Sequence, residues 1–299
     1  MDKKGFRLNL LAQSLWGTGP VVTKLVSFNI AGSLLSGLRN GLGALVITSL
    51  MFKNQENRSS ISQLTPHILI HLFFLGILAV AIPNILMVES IRASGAIIAA
   101  MLSRLEIPFG VILAGTVLKE RVSNKAKAAT LLSLLSVILL SQTDMSFGTF
   151  DDANARGVGL GLIVALAFSL STIYAKWIFN KFKIPSLLLT WVRTSMGAGI
   201  SILIFVLFGG DIVQSLASIS LVDWLAIGFL GLFVSAIAYM AYYKSLSLLD
   251  AHITQIMLGV ALVIAVILGL LIGETLSIFQ WLGIVLVVIS IYLIQTSKD

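Results

Sequence analysis

Long apolar runs recur along this chain, and they decide its class. Ten stretches, roughly 7–27, 31–52, 66–88, 93–118, 124–141, 157–180, 185–208, 221–245, 250–272 and 278–296, lie near the length that crosses a hydrocarbon core. The connections between them are brief. The chain is 58% hydrophobic and 11% charged, against about 25% charged in soluble domains. A soluble fold of 299 residues could not hide so much apolar surface. These features describe an all-α polytopic membrane protein with ten transmembrane helices. The first seven residues, MDKKGFR, resemble the n-region of a signal peptide. The run after them contains Gly17, Gly19 and Pro20 and no small-x-small cleavage site, so it reads as an uncleaved first helix.

The fourth run, within AIIAAMLSRLEIPFGVILAGTVLKER at 96–121, places Arg104 and Glu106 near mid-membrane, with Pro108 just after. A charge there costs about 2.5–3.5 kcal/mol on insertion scales, and proline removes a backbone donor. A lipid-facing helix has little use for either; a helix lining a polar cavity can use both. An echo follows 154 residues later, at 250–275, where Glu120 falls on Glu274 and Gly115 on Gly269. The same offset carries Arg39 to Arg193 and Gly43 to Gly197. Lys24 and Lys176 are 152 apart, and Ser90 and Ser245 are 155 apart. Ordered landmarks at nearly one offset indicate internal duplication. The repeats are 1–141 and 157–299, joined by an extracytoplasmic linker at 142–156, QTDMSFGTFDDANAR. Five helices per repeat is odd, so the second copy must insert upside down, giving inverted repeats about an axis in the membrane plane.

Basic residues set the orientation. With both termini cytoplasmic, the inner flanks hold Lys3, Lys4, Arg7, Lys53, Arg58, Lys119, Arg121, Lys125, Lys127, Lys181, Lys183, Lys244 and Lys298. The outer flanks hold only Lys24, Arg92 and Arg156. This is the positive-inside pattern, and it accounts for the formal charge of +7 without a nucleic-acid partner. Trp224 and Trp281 open spans eight and ten, where interfacial anchors belong.

Three motifs carry a family resemblance. WGTGPVVTKL at 16–25 resembles the first-helix signature of the drug/metabolite transporter superfamily, EamA type. LEIPFGVILAGTVLKERVS at 105–123 resembles its fourth-helix ending, and LLIGETLS at 270–277 resembles that ending in the second repeat. The resemblance covers essentially the whole chain and implies a secondary transporter of a bacterial inner membrane. Helices one to four and six to nine would surround a central cavity, with five and ten at the periphery. Similar members export amino acids and other small metabolites; others import sugars or carry nucleotide sugars. The chain departs from the pattern where Leu262 stands in place of a second proline matching Pro108, which puts a symmetric kink in helix nine in doubt.

Glu106 leads the candidate residues: a carboxylate at that depth can take a proton, hold a substrate ammonium, or form a static pair with Arg39 or another arginine. Burial favours its neutral form and a neighbouring arginine its charged form, a balance the sequence leaves open. Arg104, about 200° from Glu106 around an ideal helix, is expected to pair with another helix. Arg39 and Arg193 either bind a substrate carboxylate or brace their repeats by bonding carbonyls of broken helices. Trp16, Asn84, Tyr239, Tyr243, His252 and Gln255 would together suit a cavity for an amphipathic solute, though each alone fits ordinary helix packing. Lys24 and Lys176 read as snorkelling residues, and Glu89 with Arg92 as a surface pair.

Other chemistries find no footing. The chain has no cysteine, and His67, His71 and His252 are dispersed, so neither a metal site nor a cofactor is expected. No HExxH, P-loop or serine–histidine constellation occurs, so the chain is not expected to be an enzyme or a nucleotide-driven pump. The expected partners are a small-molecule substrate, protons and the bilayer, in a monomer or homodimer. The expected function is export of an amino acid or related metabolite. An importer of sugars is the alternative within the class, and a non-transporting sensor or assembly subunit the alternative outside it. The cysteine-free background tests the topology directly. A cysteine placed at residue 151 should be labelled only from the outer face, and one at residue 125 only from the cytoplasm; the reverse pattern refutes the orientation.

Overall fold

The computed structural model describes residues 2–26, 29–94, 96–140, 152–273 and 278–295. Among them every regular element is helical. The main helices are α1 (Lys3–Leu25), α2 (Gly32–Lys53), α3 (Pro66–Ala93), α4 (Ala96–Ser103), α5 (Glu106–Val117), α6 (Asn124–Leu140), α7 (Asp152–Phe182), α8 (Ser186–Leu207), α9 (Leu221–Leu248), α10 (Ala251–Ile256), α11 (Gly259–Leu271) and α12 (Ile278–Gln295). Six helical stretches are long and apolar enough to cross a membrane: α2, α3, Gly159–Phe182 within α7, α8, α9, and α10 with α11 as one stretch. Residues 142–151 of the expected linker, with Asp144 and Asp151, lie outside the described residues, as does Glu274. Helix α7 begins at Asp152 and so takes up the linker's end.

Helix starts follow local chemistry. Asp2 accepts a bond from the Gly5 amide at 2.5 Å, and Thr65 caps α3 with Pro66 in the first turn, where a missing N–H costs nothing. Ser220 and Asp223 form a reciprocal capping box at the start of α9.

Two kinds of irregularity recur in both halves. A π-helical segment occupies Ile77–Ala81 in α3 and Leu230–Ile237 in α9; the 154-residue offset carries 77–81 to 231–235, inside the second. The α-helical ladder is also interrupted at Arg104–Leu105, between α4 and α5, and at Met257–Leu258, between α10 and α11. There the backbone stays right-handed and tightens into turns with i→i−3 bonds, Leu105 to Leu102 and Leu258 to Gln255 at 3.1 Å each. The doubt over a second kink is thereby corrected: the break in span nine forms with Leu262 in place of proline. Pro108 sits inside the first turn of α5, so it tolerates the break rather than creating it.

Helices pack across the two halves in exchanged pairs. α2 lies along α8, where the Ser36 and Ser201 hydroxyls meet at 3.0 Å, and α6 lies along α12. α1 packs on α9 and α11, while α7 packs on α3 and α5. α2 meets the π segment of α9, and α8 meets that of α3. Glycine allows these last two contacts. A Cβ on Gly43 would lie 3.1 Å from the Gly231 carbonyl oxygen, and one on Gly197 would lie 2.9 Å from that of Gly76.

At one end of the bundle, polar groups tie the helix ends. Lys119 takes a positive φ of 56°, and Glu120 beyond it reaches the start of α10. Its carboxylate accepts bonds from the amides of Ala251 (2.9 Å) and His252 (3.2 Å) and pairs with His252 Nδ1 at 2.9 Å. Lys176 donates to the carbonyls of Leu246 (3.0 Å) and Leu249 (2.6 Å). The expectation that Lys176 snorkels is therefore corrected; it is buried and satisfies the C-terminal carbonyls of α9. Lys24 is exposed. Glu89 and Arg92 pair at 3.0 Å, as expected.

Two predictions follow from this packing. Gly197→Ala should lose about 1–3 kcal/mol through overpacking, whereas Gly199→Ala, whose Cβ meets nothing within 4 Å, should gain up to about 1 kcal/mol from helix propensity; equal melting temperatures in detergent would contradict this. The second concerns Glu120. Burial alone would raise its pKa, but the bonds from the His252 ring and the two amides outweigh burial and hold it below the ordinary 4.5. A carboxyl depressed by folding adds stability above its unfolded pKa, and that contribution is lost as pH falls through its folded value. The melting midpoint should therefore drop as pH falls below about 4.5, and Glu120→Gln should be less stable at neutral pH with a shallower acid drop. An equally steep drop in the variant would be inconsistent with this role.

Candidate functional site

A cavity lies between the halves. Its wall comes from α1, α2, α3, α7 and α9 and from both helix interruptions. Of the residues singled out by sequence, Trp16, Arg39, Asn84, Arg104, Glu106, Tyr239 and Tyr243 line it. Arg193, His252 and Gln255 do not.

The break between α4 and α5 sets the charged pair. Arg104 Nη1 stands 3.2 Å from Glu106 Oε1, and both side chains are buried. This corrects the expectation that the two cannot share a face. That expectation assumed an ideal α-helix, and the helix is interrupted by a tighter turn at Arg104–Leu105. Arg104 Nη1 also points to the Leu258 carbonyl at 3.4 Å, so it reaches the break in span nine as well. Ser169 donates to the Glu106 backbone carbonyl at 3.0 Å and fixes the start of α5 against α7.

Arg39 on α2 donates to the Asn84 side-chain oxygen, and Asn84 in turn donates to the Val80 carbonyl of the π segment at 2.7 Å. The Nε atoms of Arg39, Arg104 and Arg193 are all enclosed without a partner among the described residues. Arg193 sits behind the wall, fully buried. Its guanidinium lies 3.8 Å from the centre of the Tyr239 ring and 4.6 Å from that of Tyr243, and Nη1 points to the Ala79 carbonyl at 3.5 Å. Arg193 thus reaches a carbonyl of the other half, in the π segment of α3, rather than one within its own repeat.

Aromatic rings make up one side. Trp16 donates to the Val234 carbonyl at 3.2 Å and packs on Tyr239 and Tyr242 with ring centroids 5.0 and 4.8 Å away. The Tyr242 hydroxyl meets Thr172 at 2.8 Å. Sequence reasoning passed over Tyr242, Phe168 and Thr172, all of which line the cavity. Tyr242 was legible as the third residue after Tyr239, on the same helical face; Phe168 and Thr172 carried no signal. His252 belongs instead to the Glu120 contact. Gln255 is buried against Gly110, with both amide atoms unpartnered. Among the described residues no cluster of three or more histidine or carboxylate groups forms.

Comparison with known proteins agrees with this architecture. The EamA-like transporter family model matches residues 3–142 and 155–296. An Escherichia coli (strain K12) protein named an uncharacterized inner membrane transporter, YedA, is 30% identical over 146 residues; the match spans about half of each chain, 48% of this one and 47% of that one. The uncharacterized transporter YyaM of Bacillus subtilis (strain 168) is 20% identical over 288 residues, 96% of this chain and 88% of that one. An uncharacterized transporter of Clostridium kluyveri is 23% identical over 83% of this chain and 78% of its own. A crystal structure superposes with a TM-score of 0.77 at 17% identity, covering 98% of this chain and 96% of that one, which establishes likeness of fold. With the family model matched along nearly all of its length, this chain belongs to the EamA-like transporter family.

Proposed function

We propose that the chain is a secondary transporter of the bacterial inner membrane, exporting a small metabolite of the amino-acid class or its relatives by alternating access. The observation that carries this is the cavity. Charged side chains of the first half meet aromatic side chains of both halves around it, and its wall includes both helix interruptions and both π segments. Irregular backbone at membrane depth is tolerated where it lines a cavity.

The proposed architecture has ten crossings: α1, α2, α3, α4 with α5, α6, α7, α8, α9, α10 with α11, and α12. The repeats are 1–141 and 157–299, related by inversion about an axis in the membrane plane. Its support is the exchange of partners, α1 on α9 and α11 against α7 on α3 and α5, together with the repeated π segments and breaks. With both termini cytoplasmic, the Glu120–His252 contact and Lys176 tie the cytoplasmic end shut. A second recess, lined by Lys24, Leu35, Val88 and Arg92, shares Thr23 and Ile91 with the main cavity and marks the outer end. The present conformation is then the outward-facing one, and inward opening requires the cytoplasmic ties to part.

In this scheme Glu106 and Arg104 form the charge pair that substrate or protons must disturb. A solute flux screen in liposomes, with and without a pH gradient, tests the function. Glu106→Gln should lose pH-driven flux and about 3–5 kcal/mol of stability, because Arg104 is left buried and unpaired. The double variant Arg104→Gln/Glu106→Gln removes both charges and should recover much of that stability while remaining inactive. Unchanged flux per folded molecule in either variant would eliminate the pair from the transport cycle.

A further inference from the structure

The charges around the cavity do not balance, and the imbalance bears on what it holds. Its wall carries Arg39, Arg104 and Glu106, and Arg193 stands directly behind Tyr239 and Tyr243. Two guanidiniums thus line the cavity with one carboxylate among the described residues, and a third stands behind the wall. The carboxylate is engaged by Arg104 at 3.2 Å. Arg193 lies against two aromatic faces. Each of the three arginines has an enclosed Nε without a partner among the described residues. Arg39 stands apart because it is at the cavity wall beside a neutral amide, that of Asn84, and not a carboxylate.

A guanidinium cannot shed its charge as a lysine can, and an uncompensated arginine at membrane depth is costly. Its planar fork matches a carboxylate with two parallel bonds. A cationic group entering the same space meets surplus positive charge and a carboxylate already neutralised. The rest of the wall suits an apolar body: Trp16, Tyr242 and Phe168 supply flat faces, and Met87 and Ile91 supply aliphatic surface. The neighbouring recess holds Lys24 and Arg92, both of them with partners, along the approach.

Resting on the transport function proposed above, we infer that the solute is an amphipathic organic monoanion, a carboxylate on an apolar, aromatic-compatible body without an ammonium group. Arg39 recognises its carboxylate. This narrows the amino-acid class to its relatives that lack the amine. Asn84, also at the cavity wall, accepts a bond from Arg39, and its neutrality keeps the charge of Arg39 available.

The test uses four solutes on one frame, 3-phenylpropionate, its amide, 3-phenylpropylamine and phenylalanine, with the full-length protein. Calorimetric binding in detergent should favour the propionate by at least tenfold over the other three, and only the propionate should be carried in liposomes. Arg39→Gln should erase the preference. Asn84→Asp is the second variant, in case the first fails to fold. It places a carboxylate beside Arg39, so it should raise the melting temperature of the empty protein and lose propionate binding. Phenylalanine or the amine binding as tightly as the propionate overturns the inference, as does a folded Asn84→Asp protein that keeps the wild-type preference. Flux of cations, zwitterions or neutral solutes without carboxylate flux also overturns it while leaving the transport function intact. A protein that carries no solute of any charge fails the transport function itself, and the inference falls with it.

Discussion

The guanidinium of Arg104 reaches two breaks at once. One edge meets Glu106, the first residue of α5, and the same nitrogen points to the carbonyl of Leu258, where α10 gives way to α11. Hydrocarbon offers backbone groups no alternative partners, so a helix can be interrupted there only where side chains or water replace the lost bonds. Two interrupted helices placed against each other meet that requirement jointly, and the space between them becomes the polar centre of the bundle. A straight fourth span would turn Arg104 and Glu106 to opposite sides and expose one of them to lipid. The break makes the charge pair possible, and the pair in turn holds the break.

The π segments extend the same logic to α3 and α9. An extra residue in a helical turn frees carbonyls, and here each finds a donor: Ala79 from Arg193 and Val234 from Trp16. Each segment also receives a neighbouring helix at close range, with Gly197 over Gly76 and Gly43 over Gly231. Small residues at such crossings let backbones approach where lipid supplies no hydrophobic drive toward association. These contacts are backbone on backbone and leave little room for adjustment. The ties at Glu120 and Lys176 are side-chain bonds at helix ends, which break and reform at lower cost. Any movement between the halves is therefore expected to pivot at the glycine crossings and open at the ends.

The class of fold was legible because length and apolarity of a run are sufficient to mark a membrane helix. Positions 154 apart drew attention because Arg39, Gly43, Arg193 and Gly197 are conspicuous in apolar surroundings, and the two glycines do sit at close crossings, over Gly231 and Gly76. Details that depend on departures from ideal helix were not. The angle of about 200° between Arg104 and Glu106 holds for an ideal α-helix, and the chain tightens into a different turn there. Pro108 drew attention as a breaker, yet span nine breaks with Leu262 in its place, so proline was the wrong signal. Lys176 resembled a snorkelling residue because its distance from the helix end was visible and the carbonyls of Leu246 and Leu249 were not. His252 and Gln255 have the polarity of cavity residues, but their helical phase and the turn before α10 direct them elsewhere.

The three membrane-depth arginines are compensated in different ways, though each keeps an enclosed Nε without a partner among the described residues. Arg104 has a carboxylate, and removing that partner would leave a buried charge. Arg193 has two aromatic faces and a carbonyl, which hold it as part of the wall. Arg39 has an amide oxygen, the weakest electrostatic match of the three. A chain selected for stability alone would place a carboxylate at position 84, one methylene shorter than glutamate and nearly isosteric with asparagine. The presence of asparagine keeps a permanent positive charge at the cavity wall at some cost in stability, and sites that depart from local optimisation in this way are where function is expected to reside.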